Sequence, residues 1–161
     1  MTTTETLRQQ YQLTRGARAA LFEYCEDVSP NDFVATLESF GHGSMRHLLV
    51  HVANVYLYWI GHNTLQRNVA FFKPEEANTM QDVEVLYRQV DRLVEDCFNA
   101  FDNNWSAPLH ITLNRPEKEI NTTPLAILTH VLTHEFHHKG QVLSMSRHLG
   151  YTPVDTDLIR F

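Results

Sequence analysis

The segment from Thr122 to Gly150 has the pattern of one long helix with an apolar stripe. Its first residues supply a capping threonine and a first-turn proline, and Gly150 is a suitable residue just beyond its end. At about 100° per residue, one face collects the apolar side chains Ile127, Val131, Val142, Met145 and Leu149. A helix of about 27 residues is roughly 40 Å long. Such a helix favours an architecture of helices packed on helices.

Four of the ten histidines of the chain fall within nine residues of this helix, at positions 130, 134, 137 and 138. His138 falls in the middle of the apolar stripe and His134 on its near edge, whereas His130 and His137 lie further out. Burying an imidazole without partners for its ring nitrogens is costly. One explanation is that each is a hydrogen-bonded core histidine. An i, i+4 pair is harder to satisfy in this way, so we favour His134 and His138 as metal ligands.

A second helix begins at Ser44, whose hydroxyl can cap it. Its apolar arc contains Met45, Leu48, Val52, Val55, Tyr56 and Trp59. His51 lies at the margin of this arc, and His47 lies about 40° further out. His51 is therefore the better candidate for a third ligand. The wheel alone is equally consistent with His51 as a half-exposed surface residue that binds no metal.

Four long helical segments account for most of the 161 residues. They run from about 3 to 25, from 44 to the region 63–68, from 79 to about 101, and from 122 to 150. Connections follow Ser29-Pro30 and span Asp102 to Asn121, a long loop with short β-prone pieces. We predict an all-α fold, a single four-helix bundle domain over residues 1–161 with up-down-up-down-like connectivity. The long connection is expected to cover one mouth of the bundle.

The charge of the chain restricts its partners. The formal net charge is −6, which argues against nucleic acid and anionic membranes as partners, because both require a basic face. Neither a signal peptide nor a stretch of about 20 apolar residues is evident, so a cytoplasmic location is expected. Cys25 and Cys97 are far apart and form no Cys-x-x-Cys motif, which indicates two packing residues. A nucleophilic cysteine would need a basic neighbour that the sequence does not reveal.

Three motifs resemble those of the DinB/YfiT superfamily of metal-binding four-helix bundles. Residues 134–141, which read His-Glu-Phe-His-His-Lys-Gly-Gln, are similar to its His-x-x-x-His-Arg-Gly-Gln segment. Residues 44–52 resemble its Ser-h-Arg-x-h-h-x-His opening of the second helix, where h is apolar, and the ending through Leu149-Gly150 and Asp157-Leu158 is also similar. The resemblance implies metal ligation by His51, His134 and His138. Lys139 replaces the commoner arginine, which keeps the charge but loses a planar donor.

The resemblance also suggests a function. Three histidines leave a divalent ion with an open position, as in reactive zinc-type sites. Zinc and nickel are the favoured ions, and iron and manganese are also compatible with imidazole. Family members include enzymes that use low-molecular-weight thiols, which implies a thiol-dependent S-transferase with an electrophilic substrate. A metal-dependent hydrolase, a non-enzymatic stress-related bundle with a structural ion, and a helical interaction module remain as alternatives.

Further residues have less defined expectations. Tyr58, near His51 on the wheel, and Gln141, near His134, are candidates to support the ligands, or ordinary surface hydrogen-bonding groups. Glu135 lies about 100° from His134 and is expected to help pack its helix. The family implies a possible homodimer, for which Phe71 and Phe72 are interface candidates. Packing of these two rings under the long connection is the alternative.

Overall fold

The computed structural model describes residues 1–41, 43–114 and 117–160, and these residues are mostly helical. His42, expected in the turn between Gly41 and Gly43, lies outside them. In chain order the elements are α1 (Thr3–Glu26), α2 (Pro30–Val34), α3 (Met45–Tyr56), a π-helical segment (Leu57–Thr64), a 3₁₀ turn (Pro74–Glu76), α4 (Met80–Ala100), β1 (Leu109–Asn114), β2 (Glu117–Thr122) and α5 (Pro124–His148).

Hydroxyl caps start the helices where the sequence predicts them. The side chains of Ser44, Thr79 and Thr123 accept hydrogen bonds from backbone N–H groups of the first turns of α3, α4 and α5. Each cap satisfies a donor that the helix itself leaves unpaired. Gly150 follows α5 with φ of +94°, as expected for a left-handed residue beyond a helix end. The predicted connection after Ser29 differs, because residues 30–34 form the short helix α2.

The connection between α4 and α5 is not a simple loop. Strands β1 and β2 pair antiparallel from Leu109↔Thr122 to Asn114↔Glu117. The all-α prediction is therefore wrong in this detail: the protein is mostly helical with a small two-stranded sheet. Alternation of apolar and polar residues in β1 explains the difference, since it buries Ile111, which is 4% exposed, and leaves His110 outside.

Two contacts attach the beginning of this connection to the helices. The Trp105 indole Nε1 donates to Thr4 Oγ1 of α1 at 2.9 Å. The Trp105 carbonyl accepts a hydrogen bond from the backbone N–H of Leu125 at 3.1 Å. Trp105 is buried and its ring lies beside Phe98 of α4. The connection is thus held against three helices before the hairpin starts.

Helix α3 contacts α2, α4 and α5, and α1 also contacts α4 and α5. Met45, Leu48 and Tyr56 of α3 are among the completely buried side chains of one hydrophobic cluster.

The up-down-up-down arrangement of a four-helix bundle and the single-domain extent over residues 1–161 stay predictions. Within the described ranges, the helices are each too short or too polar to span a bilayer.

The π-helical segment that continues α3 is stabilised by side chains as well as by its backbone. The backbone N–H of Leu65 donates to the Ile60 carbonyl at 2.8 Å. Thr64 Oγ1 donates to the Trp59 carbonyl and Asn63 Nδ2 donates to the Tyr58 carbonyl, both at 2.7 Å. These side-chain bonds add donors to carbonyls of the wide turns.

Gly61 allows close packing of this segment. A Cβ atom at position 61 would lie 2.8 Å from Cγ1 of Val69 and 3.3 Å from Cδ2 of Leu93. Both contacts are shorter than a carbon–carbon van der Waals separation. The segment can therefore approach α4 only because residue 61 has no side chain.

We predict opposite effects for two glycine-to-alanine substitutions. Gly61→Ala should lower the free energy of unfolding by about 1–3 kcal/mol, because it overpacks the core. Gly140→Ala, within α5, should raise it by about 0.5–1 kcal/mol, since a Cβ there meets nothing within 4 Å. Urea denaturation of both variants measures this difference. A Gly61→Ala protein as stable as the wild type would contradict the packing explanation.

Candidate metal centre

Three histidines from two helices meet at one place. His51 projects from α3, and His134 and His138 project from consecutive turns of α5. One ligand-type nitrogen from each lies within 4.8 Å of the other two. The ring centroids of His51 lie 5.1 Å from His134 and 4.9 Å from His138, and those of His134 and His138 are 4.3 Å apart. The structure thus brings together the three residues that the sequence selected as ligands.

The hydrogen bonds of His138 determine which of its nitrogens faces the centre. Its Nδ1 lies 2.6 Å from Gln141 Oε1, and an amide oxygen only accepts, so Nδ1 donates. Nε2 then presents its lone pair toward His134, whose Nε2 is 3.1 Å away. A hydrogen bond to a ring nitrogen that fixes the tautomer is typical of histidines that bind metals.

This donor set fits a divalent ion. Two nitrogens bound to tetrahedral zinc at 2.0–2.1 Å lie roughly 3.3 Å apart, close to the separation of the two Nε2 atoms. Without an ion, this contact needs a proton on His134 Nε2. The Nδ1 of His134 is buried and has no hydrogen-bond partner among the described residues, and it stays unpaired both as an acceptor in this state and as a donor when Nε2 binds an ion. The three histidines can therefore hold a metal ion.

The electrostatic environment keeps His134 neutral. Burial, followed by the neighbouring His138, His51, His130 and His137 in that order of influence, lowers its pKa to about 4. Neutral imidazole is the form that binds metal ions. At neutral pH, His134 therefore needs no deprotonation before it can act as a ligand.

The three histidines of the centre differ in exposure. His138 is buried, with 6% of its surface exposed, whereas His51 and His134 are half-buried. The extra histidines lie at the edge of the centre. The ring of His130 is 5.8 Å from that of His134, the ring of His137 is 4.9 Å from that of His138, and both side chains are exposed.

One of the two expected supporting groups contacts a candidate ligand. Gln141 bonds to His138 rather than to His134. The ring of Tyr58 lies against those of Trp59, His62 and Phe71. His47 remains near the helix start, where its Nδ1 is 2.7 Å from Ser44 Oγ.

Glu135 forms a buried ion pair that the sequence does not reveal. Its Oε1 accepts from Arg18 Nε at 2.7 Å and its Oε2 from Arg18 Nη2 at 2.9 Å. The Tyr56 hydroxyl also donates to Oε2, at 2.5 Å. Arg18 additionally donates to Asp91 Oδ1 at 2.7 Å, as does the Tyr11 hydroxyl at 2.6 Å. This Arg18 network joins α1, α3, α4 and α5.

The Arg18 network lies directly behind the centre. An internal space of about 10 Å³ is lined by both Arg18 and Glu135 and by His138. Burial and the charge of Glu135 raise the pKa of the Tyr56 phenol well above its usual value, although Arg18 opposes this effect. Tyr56 therefore stays protonated and remains a donor to Glu135.

Lys139, the departure from the family motif, is buried and has partners. Its Nζ donates to the Thr156 carbonyl and lies 4.5 Å from the centroid of the Phe136 ring. Burial lowers the pKa of Lys139, and Asp157 partly offsets this effect. A single carbonyl needs one donor, so the planar fork of arginine is not required here.

The cysteines match the packing role expected of them. Cys25 and Cys97 are each 1% exposed. Burial raises the pKa of both thiols to about 12. Because the thiolate is the reactive form, neither residue is suited to act as a nucleophile in the folded protein.

Fold and site together define a mostly helical protein with a candidate three-histidine metal centre between two of its helices. The chain belongs to the DinB family, whose family model matches residues 1–161. A DinB-like protein of known structure, YjoA from Bacillus subtilis, has a similar fold, with a TM-score of 0.61 and 16% sequence identity over 89% of this chain and 96% of that one. A comparison with curated protein sequences gave no match.

We predict that the Arg18 network stabilises the fold far more than an exposed ion pair does. Arg18→Met should cost roughly 3–5 kcal/mol of unfolding free energy, because it leaves Glu135 buried without its partner. Arg15→Met should cost less than about 1 kcal/mol, since Arg15 pairs with the same Asp91 but its side chain is 44% exposed. Chemical denaturation gives both values. Equal losses would show that burial of the pair is unimportant.

Proposed function

We propose that the protein binds one divalent metal ion through His51, His134 and His138 and acts as a metal-dependent enzyme on small molecules. The convergence of three ligand nitrogens within 4.8 Å carries this proposal. Three protein ligands leave at least one coordination position for an exchangeable group. Zinc and nickel are the preferred ions, and iron and manganese are chemically compatible.

Transfer of a low-molecular-weight thiol to an electrophile is the reaction that we favour. An ion at this centre would act as a Lewis acid that makes a thiol or a water molecule more acidic near neutral pH. In the transfer, the sulfur forms a bond to an electrophilic carbon, the leaving group departs with its bonding electrons, and the thiol proton passes to solvent. The resemblance of residues 134–141 to the DinB motif favours a thiol over the water of a hydrolase.

The residues of the chain have separate roles in this proposal. Gln141 orients His138 through its Nδ1 proton, and the neutral His134 offers a lone pair. Glu135 is excluded as the proton acceptor, because Arg18 and Tyr56 occupy both of its carboxylate oxygens. The half-buried positions of His51 and His134 leave a side from which small molecules reach the centre.

The second candidate is a non-enzymatic protein in which the ion only stabilises the fold. The burial of His138 and the position of the centre between α3 and α5 favour such a role, because a bound ion would cross-link the two helices. A structural ion should be fully ligated by protein and slow to exchange, whereas a catalytic ion should bind small thiols directly.

Location and assembly are part of the proposal. We place the protein in the cytoplasm, with a homodimer as its possible assembly. Phe71, an interface candidate, is 50% exposed. Phe72 is half-buried, and its backbone N–H and carbonyl both bond to the side chain of Asn54 on α3. Phe71 is therefore the better of the two for an interface.

We predict that untagged protein contains close to one metal ion per chain, and that a His134→Ala, His138→Ala double variant contains none. His51→Ala should also lower metal content, because it removes the third ligand. His137→Ala is the matched control, since its exposed ring contacts His138 but lies outside the ligand set. Elemental analysis measures all four proteins.

Wild-type protein that stays metal-free after incubation with zinc, nickel, iron(II) and manganese would contradict the proposal. If metal is present, a cobalt(II)-substituted sample separates the two candidates. A change in its visible spectrum on addition of a small thiol supports a catalytic ion. An unchanged spectrum, with a fall in melting temperature on chelation, supports the structural ion.

A further inference from the structure

A line of aromatic rings extends from the three histidines along the π-helical segment that continues α3. The ring of His130 follows that of His134 at 5.8 Å, and the ring of Trp59 lies 5.2 Å from that of His130. Tyr58 follows at 5.3 Å from Trp59, and Phe71 at 6.4 Å from Tyr58. We call Trp59, Tyr58 and His130 the aromatic wall. It is continuous with the candidate metal centre.

The aromatic wall retains accessible surface. Trp59 and Tyr58 are half-buried, and His130 is exposed. Trp59 packs against the hydrophobic core and keeps part of its surface exposed, whereas Trp105 is only 3% exposed. Exposed aromatic surface next to a site is typical of ligand-binding surfaces. The wall therefore has ring surface left for a ligand.

The backbone beneath the wall is fixed in an uncommon conformation. Tyr58 and Trp59 lie in the π-helical segment, and their carbonyls are the ones that accept from Asn63 and Thr64. Gly61 locks the same segment against Val69 and Leu93. Single π turns are rare and frequently occur at functional sites. The segment thus holds both rings on a rigid support, which reduces the cost of ordering them on binding.

The chemistry of the wall selects a class of ligand. The ring contacts described for Trp59 and Tyr58 are all with other aromatic rings. Aromatic rings bind other planar rings by stacking and edge-to-face contact. A bound divalent ion, in turn, prefers an anionic or readily deprotonated donor atom.

We propose that the aromatic wall binds the planar aromatic body of a ligand whose donor atom reaches the ion at His51, His134 and His138. The substrate class is therefore an aromatic compound with a metal-binding head, such as an aromatic thiol or an aromatic electrophile with a chelating group. The position of the head rests on the proposed function. The ring-binding property of the wall does not, because Trp59 and Tyr58 are not ligands.

Two hydroxamates that share one chelating head provide the test. Benzohydroxamate carries an aromatic ring where acetohydroxamate carries a methyl group, so the ratio of their dissociation constants isolates the ring. Calorimetry on zinc-loaded wild type should show about tenfold tighter binding of benzohydroxamate. In Trp59→Leu, which keeps an apolar side chain, the ratio should fall to about threefold or less, with acetohydroxamate affinity unchanged.

His137→Ala is the matched control, because its ring contacts His138 but is not part of the wall. It should keep the tenfold ratio. A wild-type ratio near one, or a Trp59→Leu ratio equal to that of the wild type, would overturn the proposal. Thermal denaturation of both variants shows whether each is folded before the ratios are compared.

A second measurement separates failure of the wall from failure of the metal site. The chain has two tryptophans, so the indole N–H of Trp59 is assigned in a ¹H–¹⁵N spectrum by comparison with Trp59→Leu. In metal-free protein, benzohydroxamate should shift this signal and acetohydroxamate should not. An unshifted signal would overturn the proposal that the aromatic wall binds a ring, whether or not metal binds. A shifted signal in a protein that never takes up metal supports the wall and rejects only the proposed metal function.

Discussion

The bidentate ion pair between Arg18 and Glu135 is the interaction on which the arrangement of the helices depends. A buried charge is tolerated only when it is paired and its remaining hydrogen-bonding positions are filled. Here Tyr56 fills a position on Glu135, and Asp91 fills one on Arg18. Satisfying this set requires one residue from each of four helices at the same time. A slip of any of these helices by one residue would break several bonds at once, so the network specifies the register of the packing.

The same network orients the candidate metal centre. Glu135 directly follows His134, and neighbouring helical residues point about 100° apart. When Glu135 is directed at Arg18 of α1, the rotation of α5 about its axis is fixed, and His134 and His138 are turned toward His51 of α3. The ion pair and His138 line the same internal space. The buried ion pair of Arg18 and Glu135 therefore determines where the neutral imidazoles meet.

Helical periodicity and capping chemistry predicted the starts of α3, α4 and α5 and the pair His134 and His138, because these features depend on spacing along one helix. His51 lies on another helix, and the resemblance to the family motif selected it where the wheel did not. Features that depend on contacts between residues far apart in the chain were not predicted from the sequence. Arg18 and Glu135 are 117 positions apart, and nothing local marks them as partners. Gln141 supports a candidate ligand as expected, but that ligand is His138 rather than His134, because a helical wheel has no axial coordinate. Gln141 projects near His134 but lies seven residues along the helix, roughly 10 Å away, whereas His138 is within one turn. The hairpin was missed because its strands are short and only one face of it is buried.

The widening of α3 into a π-helical segment connects the fold to the chemistry of the centre. In a regular α-helix, Trp59 would point about 80° away from His51, since it lies eight residues later. A π turn advances fewer degrees per residue, so the segment from Leu57 keeps Trp59 closer to the direction of His51 and places its ring against His130. Gly61, Asn63 and Thr64 stabilise this geometry through packing and hydrogen bonds that an α-helix would not need. Helix α3 thus supplies the candidate ligand His51, and the π-helical segment that continues it supplies the rings of Tyr58 and Trp59. The change from α-helical to π-helical geometry brings Trp59 closer to the direction of His51.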